Sequence, residues 1–418
     1  MSVSRTERVL LPVILGGDIG VYGIGRSFHE AFGCRCTCVA SAPTEAITRS
    51  VFFDVEHLPA HSDDSQALAV LHGIAAANPG RDLVLMANHD THSTFVARHA
   101  DELRASGYAI PFPSLDTIEH LTDKAEFSRV CAAEGVDTPG TVVVDMAGAG
   151  DPSWAAPEVP FAFPLVAKAA RGDAYDAIDF EGKRKIWFLE APGELADLWH
   201  RLAGAGFRDR FLVQELIPGD NTQMRSITAY VDSTGEVTLI GSARVLLEDH
   251  APTMIGNPVA MITEPFDDLM EAARRILTSS GYRGFANFDV KIDPRDARAV
   301  FFEVNPRIGR NNWYMSAAGH NPMVPMVADL VHHERVTPET ARTEILYSLV
   351  PDRLLLHYLR DEALRARVRG LVRGGLRFDP LEYPAETDLR RRLVVAAQKL
   401  NQYRKFHRFY PDATDRSF

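Results

Sequence analysis

The sequence predicts an α/β protein that begins with a parallel sheet and continues into a β-rich region. Strand and helix patterns alternate up to about Pro113, five strand patterns follow Phe207, and a helical, Arg-rich segment follows Met326. Alternating strands and helices are typical of a parallel sheet with helices on its faces. The predicted domains are 1–113, 114–209, 210–328 and 329–418.

Composition and charge exclude several classes of protein. The chain has 418 residues, of which 46% are hydrophobic and 24% are charged, and a chain of this length holds about two to four compact domains. Its net charge of −11 argues against general affinity for nucleic acids, because phosphate backbones are bound by surplus Lys and Arg. The apolar stretch Val9–Leu15 is broken by Gly16 before it reaches signal-peptide or membrane length. We therefore expect a cytoplasmic protein without membrane insertion.

The elements of the first domain are predicted from hydrophobic periodicity. They are strands at Val9–Leu15, Cys34–Ala40 and Leu83–Ala87, a helix start at Ser27–Phe32 and a helix at Ser65–Ala77. Three cysteines, at positions 34, 36 and 38, alternate along the second strand and fall on one face of it. We interpret them as buried structural thiols, because the paired second half that a zinc motif requires is missing.

The second and third domains are predicted from the same signals. Helices are expected at Leu121–Glu134, Pro192–Ala203 and Phe266–Ser279. Strands are expected at Thr141–Val144, Leu165–Lys168, Lys185–Leu189, Phe211–Leu216, Arg225–Val231, Val237–Arg244, Ala286–Ile292 and Ala299–Val304. The region from about Thr141 to Gly206 contains a polar turn with few apolar anchors, and we expect it to move as a lid.

Two neighbouring strands carry the strongest chemical signal. Asp289 lies in GYRGFANFDVKID, whereas Glu303 and Asn305 lie in AVFFEVNPR. A hairpin would bring these oxygen ligands together, and hard oxygen ligands suit Mg²⁺. Arg307 lies two residues after Asn305, which would put it on the same face as Glu303 and Asn305, and there it can neutralise phosphate charge. The alternative is a surface hairpin whose acids face water. The apolar residues around Glu303 disfavour it, because they indicate a buried strand, in which a Glu is costly unless it is paired or binds a metal.

Upstream residues extend this pattern. Lys168 ends the strand FPLVAK, and Lys124 lies in the helix LTDKAEF. In FLVQELIPGD, Gln214 and Glu215 close a strand before a turn that can present backbone groups to an adenine edge. Isolated lysines are mostly solvated, so it is the combination that favours a nucleotide site.

In this order, the residues from about Leu115 to Gly319 resemble those of the ATP-grasp ligases. The opening PVILGGDIGVYGIGRSFHEAFG resembles the N-terminal domain of D-aspartate ligases and related carboxylate–amine ligases. The similarity continues through RVLLEDHAPTMIGNPVAMIT and NQYRKFHRF. The resemblance implies an ATP-grasp fold with an N-terminal parallel-sheet (pre-ATP-grasp) domain that binds substrate, a two-part nucleotide-binding module and a helical C-terminal extension.

The resemblance also implies ATP, with Mg²⁺ or Mn²⁺, and a set of site residues. The implied nucleotide contacts are Lys124, Lys168, Gln214, Glu215, Ile217 and Asp220. The implied metal ligands are Asp289, Glu303 and Asn305. The implied catalytic residues are Arg307, Arg244 and Asn287. The implied substrate-binding residues are Gly17, Asp18, Tyr22, Gly23, His89, Asp90 and Arg310.

Two other interpretations of the N-terminal domain were weighed. Its glycines follow a strand and precede a helix, but they do not form a clean GxGxxG, and no ribose-binding acid follows the second strand. NAD binding is therefore disfavoured. His89, Asp90 and His92 follow the strand Leu83–Ala87 at a position where parallel sheets bind ligands, and they suggest a substrate site, since a metal would need a third ligand.

The expected activity is ATP-dependent amide formation through an acyl phosphate. By resemblance the acid is D-aspartate or another amino acid, and the amine belongs to a peptidoglycan precursor, which is a nucleotide-linked molecule. The alternatives are an amino-acid or dipeptide ligase of small-molecule metabolism, a kinase-like ATP-grasp enzyme, and a nucleotide-binding protein without turnover. Cations near the C-terminus, among them Arg404, Lys405 and Arg408, are either a landing site for a diphosphate or a solvated helix face. The sequence does not indicate the oligomeric state.

Overall fold

The chain forms two compact units. A computed structural model of the chain describes residues 9–170, 174–175, 177–252 and 254–414. The first unit combines Met1–Glu119, Gly219–Val290 and Val304–Phe418, and the second combines His120–Pro218 and Lys291–Glu303. The four domain limits expected from the sequence stay predictions.

The first unit begins with a five-stranded parallel sheet of order β3-β2-β1-β4-β5. Its strands are β1 (Leu10–Leu15), β2 (Cys36–Ala40), β3 (Phe53–His57), β4 (Asp82–Ala87) and β5 (Tyr108–Ala109). The helices along this part of the chain are α1 (Ile19–Phe32), α2 (Glu45–Thr48), α3 (Asp64–Ala77), α4 (Asp90–Arg98), α5 (Ala100–Ala105) and α6 (Leu115–Thr122). The predicted parallel sheet is confirmed, whereas β3 and β5 were not predicted.

Helix α1 begins eight residues earlier than predicted, because Asp18 caps it. The Asp18 carboxylate accepts hydrogen bonds from the backbone N–H groups of Gly20 and Val21, which have no partner within the helix. The helix then packs closely on the sheet: a Cβ added at Gly25 would lie 2.1 Å from Cζ of Phe53. A glycine is therefore required at this contact.

The cysteines of the first sheet are buried thiols, as predicted. Cys36 and Cys38 lie in β2 and are 0% exposed, whereas Cys34 precedes the strand and is 9% exposed. All three are free, as is Cys131. The part of the chain that the structure describes contains no group of three or more His, Cys, Asp or Glu residues arranged to hold a metal ion.

The second unit is built around a four-stranded antiparallel sheet of order β6-β9-β7-β8. Its elements are α7 (Lys124–Ala133), β6 (Thr141–Asp145), β7 (Leu165–Ala169), β8 (Trp187–Leu189), α8 (Pro192–Gly204) and β9 (Arg210–Glu215). The predicted helix Leu121–Glu134 is two helices, because Asp123 interrupts it and accepts hydrogen bonds from the N–H groups of Ala125 and Glu126. This cap makes Lys124 the first residue of α7.

The large sheet has eight strands in the order β14-β13-β10-β11-β12-β16-β17, with β15 paired to β11. The strands are β10 (Met224–Val231), β11 (Val237–Glu248), β12 (Pro258–Thr263), β13 (Gly284–Ile292), β14 (Ala299–Asn305), β15 (Glu339–Thr340), β16 (Leu346–Ser348) and β17 (Arg377–Phe378). The β-rich region predicted after Phe207 is thus present, although β11 is longer than predicted and β12 was not predicted.

The C-terminal segment is helical, as predicted, but it also contributes the three short strands β15, β16 and β17. The remaining helices are α9 (Asp267–Ser279), α10 (Trp313–Ala317), α11 (Met323–Val327), α12 (Asp352–Tyr358), α13 (Glu362–Arg373) and α14 (Leu389–Phe409). Within the described ranges, no helix is both long enough and apolar enough to cross a membrane.

Candidate active site

An aspartate and an asparagine meet at the point where the strand order of the parallel sheet reverses. β1 and β4 are neighbours there: the strand after β1 lies toward one edge of the sheet, and the strand after β4 lies toward the other. Asp18 follows β1, Asn88 follows β4, and Asn88 Nδ2 donates to Asp18 Oδ1 over 3.0 Å. Ligands of open α/β sheets bind at this position, beyond the carboxyl ends of the strands.

The loop after β14 adds two arginines to this end of the sheet. Arg310 Nε donates to Asp18 Oδ2 over 2.8 Å, and Arg307 Nε donates to Asp90 Oδ1 over 3.0 Å. The Arg307 side chain is 15% exposed, so its guanidinium is largely shielded from water. Each arginine is oriented by one carboxylate, which fixes the position of its charge.

Arg307 connects this pair of contacts to the predicted metal ligands. Its Nη2 donates to Asn305 Oδ1 over 3.2 Å, and Asn305 Nδ2 donates to Asp289 Oδ2 over 3.0 Å. On the neighbouring strand pair β10–β13, the Asn287 amide oxygen accepts from Thr228 Oγ1 over 3.0 Å. The first unit therefore brings Asp289, Asn305 and Arg307 together with Asp90, as a set of oxygen ligands beside a cation.

Two buried nitrogen atoms at this end of the sheet have no hydrogen-bond partner among the described residues. They are Nη1 of Arg310 and Nδ1 of His92. Burial, and then the neighbouring His89, lower the pKa of His92 below its ordinary value, so the imidazole is neutral at pH 7. Buried polar groups are normally paired, so these two atoms indicate room for a ligand's polar groups.

Several predicted substrate residues lie elsewhere. Tyr22 is 0% exposed, and its hydroxyl donates to Glu386 Oε1 over 3.0 Å. Gly17 and Gly23 are packing positions: a Cβ at Gly17 would lie 2.6 Å from Cα of Pro43, and one at Gly23 would lie 3.1 Å from Asn312. His89 is exposed, and its Nδ1 pairs with the hydroxyl of Thr91 at 3.0 Å.

Arg244 faces away from the Asn287 side chain. In the β10–β11 pair, Arg244 is opposite Arg225, and Ala243 is opposite Ser226. Ser226 contacts Asn287, and successive side chains along a strand point to opposite faces. Arg244 therefore lies on the other face of the sheet, where its Nε donates to Glu264 Oε2 over 3.1 Å.

The second unit brings together three predicted nucleotide and metal residues. Lys124 Nζ donates to Glu303 Oε2 over 2.5 Å and to the carbonyl oxygen of Phe302 over 3.2 Å. Burial, followed by the charge of Lys124, lowers the pKa of Lys168 to about 8, while Glu303 opposes the shift. Two ammonium groups and one carboxylate thus share a partly buried site, with one positive charge in excess.

The strand before the QELIPG turn is held by contacts that sequence reasoning missed. Glu215 Oε1 accepts from Arg295 Nη2 over 2.8 Å and from Arg298 Nη2 over 3.1 Å. Both arginines lie in the polar turn between β13 and β14, whose charged composition was the available signal. Gln214 Nε2 donates to the Thr141 hydroxyl over 2.9 Å.

The last two predicted nucleotide contacts have local roles in the structure. Ile217 is 2% exposed. Asp220, which belongs to the first unit, caps the 3₁₀ turn Asn221–Gln223 and accepts from the backbone N–H of Thr222 over 2.9 Å.

The basic C-terminal segment is largely neutralised by nearby acids. Arg391 is 1% exposed and pairs with Glu386 at 3.3 Å, Lys399 pairs with Glu382 at 2.6 Å, and Lys405 pairs with Asp249. Arg404 and Arg408 are exposed. The cationic surface of this segment is therefore smaller than its sequence suggests.

Comparison with known proteins finds a relative that covers almost the whole chain. The chain is 28% identical to a D-aspartate ligase of Enterococcus faecium over 420 residues, which cover 98% of this chain and 99% of that protein. No family model matches the chain.

Two solved structures share the fold. The N5-carboxyaminoimidazole synthetase of Staphylococcus aureus, complexed with ADP, aligns with a TM-score of 0.57 and 12% identity over 82% of this chain and 83% of its own. The L-amino acid ligase of Bacillus licheniformis aligns with a TM-score of 0.54 and 16% identity over 78% of this chain and 75% of its own. At these identities the two structures show the fold alone. They confirm the ATP-grasp fold predicted from the sequence, and the chain is similar in sequence to a D-aspartate ligase over almost its whole length.

Proposed function

We propose that the chain activates an amino-acid carboxylate with Mg-ATP and joins it to an amine. A carboxylate oxygen attacks the γ-phosphorus of ATP, so that ADP leaves and an acyl phosphate forms. The amine nitrogen then attacks the acyl carbon, the bond from that carbon to the phosphate oxygen breaks, and inorganic phosphate leaves as the nitrogen loses a proton. The observation that carries this proposal is the cluster of Asp289, Asn305 and Arg307 with Asp90 in the first unit.

The residues present fit a magnesium ion. Asp289 and Asn305 of the first unit would hold it, because a carboxylate and amide oxygen set is what Mg²⁺ prefers. Glu303, which belongs to the second unit, stays a metal ligand proposed from the resemblance. When bound, the ion neutralises charge on the phosphates. Arg307 is oriented by Asp90 and stabilises negative charge on the transferred phosphoryl group, whereas Lys124 and Lys168 contact the phosphates of the nucleotide.

The acid substrate is proposed to be D-aspartate, and to bind at the end of the parallel sheet. Arg310 has an N–H group without a partner among the described residues, and it suits a substrate carboxylate. Asp18 is 42% exposed at its side chain and suits an ammonium group. The similarity to D-aspartate ligase supports this choice of acid.

The acceptor is proposed to be the amine of a nucleotide-linked peptidoglycan precursor, which the enzyme would meet in the cytoplasm. Arg404 and Arg408 are exposed, and they would attract its diphosphate. Changing both to Gln should raise KM for such an acceptor at low salt and leave KM for ATP nearly unchanged. An equal effect on both substrates, or none, would mean that the helix face is only solvated.

An acyl phosphate must be kept from water, so we propose that the region from about Thr141 to Gly206 closes over the nucleotide. Adding ATP and Mg²⁺ should slow hydrogen exchange in this region. An unchanged exchange pattern in the presence of bound nucleotide would contradict closure.

The proposed function is tested by measuring ADP release with a matrix of acids and amines, with identification of products by mass. We expect ADP release that requires both D-aspartate and an amine. Release with the acid alone would indicate a kinase-like enzyme, and a product built from two free amino acids would indicate a dipeptide ligase. Asp289→Asn should abolish release, whereas Asp268→Asn, an exposed change on α9, should not; release by the Asp289 variant at the normal rate would refute the metal assignment.

A further inference from the structure

A cavity of about 400 Å³ lies beside α14, in the C-terminal part of the first unit. Most of its exposed wall is apolar and belongs to Leu381, Tyr383, Pro384, Val395 and Ala396, whereas the other five lining residues are charged: Glu382, Glu386, Arg391, Arg392 and Lys399. Cavities of this size, lined by apolar groups with a few polar ones, are typical of sites for small organic ligands. None of these residues belongs to the candidate active site.

The polar side of the cavity is built on Arg391. This side chain is 1% exposed and lines the cavity. Its Nε donates to the carbonyl oxygen of Ala46 over 3.0 Å, and its Nη1 donates to the carbonyl oxygen of Leu381 over 3.3 Å. Its Nη2 is buried and has no hydrogen-bond partner within the described ranges of the chain.

The nearest carboxylate is held by other donors. Glu386 is 1% exposed, and its Oε1 lies 3.3 Å from Arg391 Nε. Its Oε1 accepts from Ser50 Oγ over 2.7 Å and from Tyr22 Oη over 3.0 Å, and its Oε2 accepts from the backbone N–H of Val51 over 3.1 Å. Nη2 of Arg391 has no hydrogen bond to this carboxylate.

The other charges at the cavity leave a positive excess. Glu382 accepts from Lys399 over 2.6 Å and from Arg377 over 3.1 Å, so its charge is engaged. Arg392 donates its Nε to the carbonyl oxygen of Glu386 over 2.9 Å, and among the described residues no carboxylate is paired with it. A ligand here meets an apolar wall, the charge of Arg392, and the one nitrogen of Arg391 that lacks a hydrogen bond, while the charge of Arg391 itself is paired with Glu386.

We propose that this cavity binds a small carboxylate with an apolar body, whose carboxylate accepts a hydrogen bond from Arg391. Guanidinium groups match carboxylates in geometry and charge, and a charged acceptor gives a stronger hydrogen bond than a neutral one. The apolar wall excludes a highly charged ligand such as a nucleotide, because most of its charges would lose water without gaining a partner. The proposal is independent of the ligase reaction.

The test is isothermal titration calorimetry of the full chain with phenylacetate and with phenylacetamide, its neutral counterpart. Phenylacetate should bind, and phenylacetamide should bind at least about tenfold more weakly, because it lacks the charge that Arg391 recognises. Arg391→Lys keeps a cation beside Glu386 but removes Nη2, so it should weaken phenylacetate binding about tenfold. Absence of phenylacetate binding, or equal binding of the amide, would overturn the proposal.

Two matched variants locate the binding. Ala396 and Ala397 are adjacent, both are exposed on α14, and only Ala396 lines the cavity. Ala396→Phe should abolish phenylacetate binding, whereas Ala397→Phe should retain it. If both variants bind like the natural chain, the carboxylate is bound at another site, such as the one containing Arg310, and the proposal is wrong.

Discussion

Replacing Lys168 by Met should stabilise the chain at pH 7 and remove its affinity for ATP. Burial and Lys124 lower the pKa of Lys168 from its usual 10.5 to about 8. At ~1.4 kcal/mol for each tenfold change in proton affinity, this fall corresponds to a cost of ~3 kcal/mol for keeping the charge in the folded state. Because the side chain keeps some contact with water, we expect Lys168→Met to recover about 1–2 kcal/mol.

The sign of the pH dependence follows from the same values. Between pH 8 and pH 10.5 the unfolded chain still binds the proton that the folded chain has released, so the stability of the natural chain rises with pH across this window. The advantage of the Met variant should therefore be full below about pH 8 and shrink toward pH 10.5. ATP affinity of the natural chain should fall as pH rises through about 8, because the neutral amine no longer attracts phosphate.

Urea unfolding at pH 7, 8, 9 and 10 measures this effect. Tryptophan fluorescence is a suitable probe, since Trp187 and Trp199 lie in the core of the second unit. Arg201→Met is the control: this arginine is exposed and does not contribute to the pKa of Lys168, so its removal should change the free energy of unfolding by less than about 0.5 kcal/mol. A Lys168→Met variant no more stable than the natural chain at pH 7 would refute the reasoning.

Three further predictions follow from single contacts. Glu303→Gln should abolish ligase turnover and leave the circular dichroism spectrum unchanged, because it removes a charge proposed to bind the metal; normal turnover would contradict that role. Asp90→Asn should lower kcat about tenfold or more by loosening Arg307, and an unchanged kcat would show that Arg307 needs no such partner. Gly25→Ala should lower the free energy of unfolding in urea by about 1–3 kcal/mol, because the added methyl group crowds the ring of Phe53. Gly73→Ala is the control: its methyl group meets nothing within 4 Å, and it should stabilise α3 by about 0.5–1 kcal/mol. Equal effects of the two changes would contradict the contact with Phe53.

The buried strands β1, β2 and β4 could be predicted from their apolar runs, whereas β3, β5 and β12 were missed. β3 has one buried residue, Phe53, followed by four exposed ones, so it shows no alternation. β12 has five of its six residues buried, like β1 and β4, and an apolar run of this length does not by itself distinguish a strand from a helix. The break at Asp123 was missed because a capping residue inside a helical pattern looks like a polar position on its surface.

The candidate site was predictable where its residues lie close together in the chain. Asp289 and Asn305 lie on the neighbouring strands β13 and β14, and Arg307 follows two residues after Asn305, so the strand pattern was enough to group them. The side of the sheet on which Arg244 lies depends on its pairing with Arg225, and no periodicity within one strand gives that register. The resemblance implies a substrate role for Tyr22, whereas in the structure its hydroxyl donates to Glu386, 364 positions away, a separation at which sequence patterns carry no pairing information.

That contact between Tyr22 and Glu386 has a consequence for biosynthesis. A ribosome makes the N-terminal sheet long before Glu386, so until then Tyr22, Ser50 and the backbone of Val51 lack the carboxylate that they bind in the folded chain. The N-terminal sheet therefore reaches its final packing only after Glu386, 364 positions beyond Tyr22, has been synthesised.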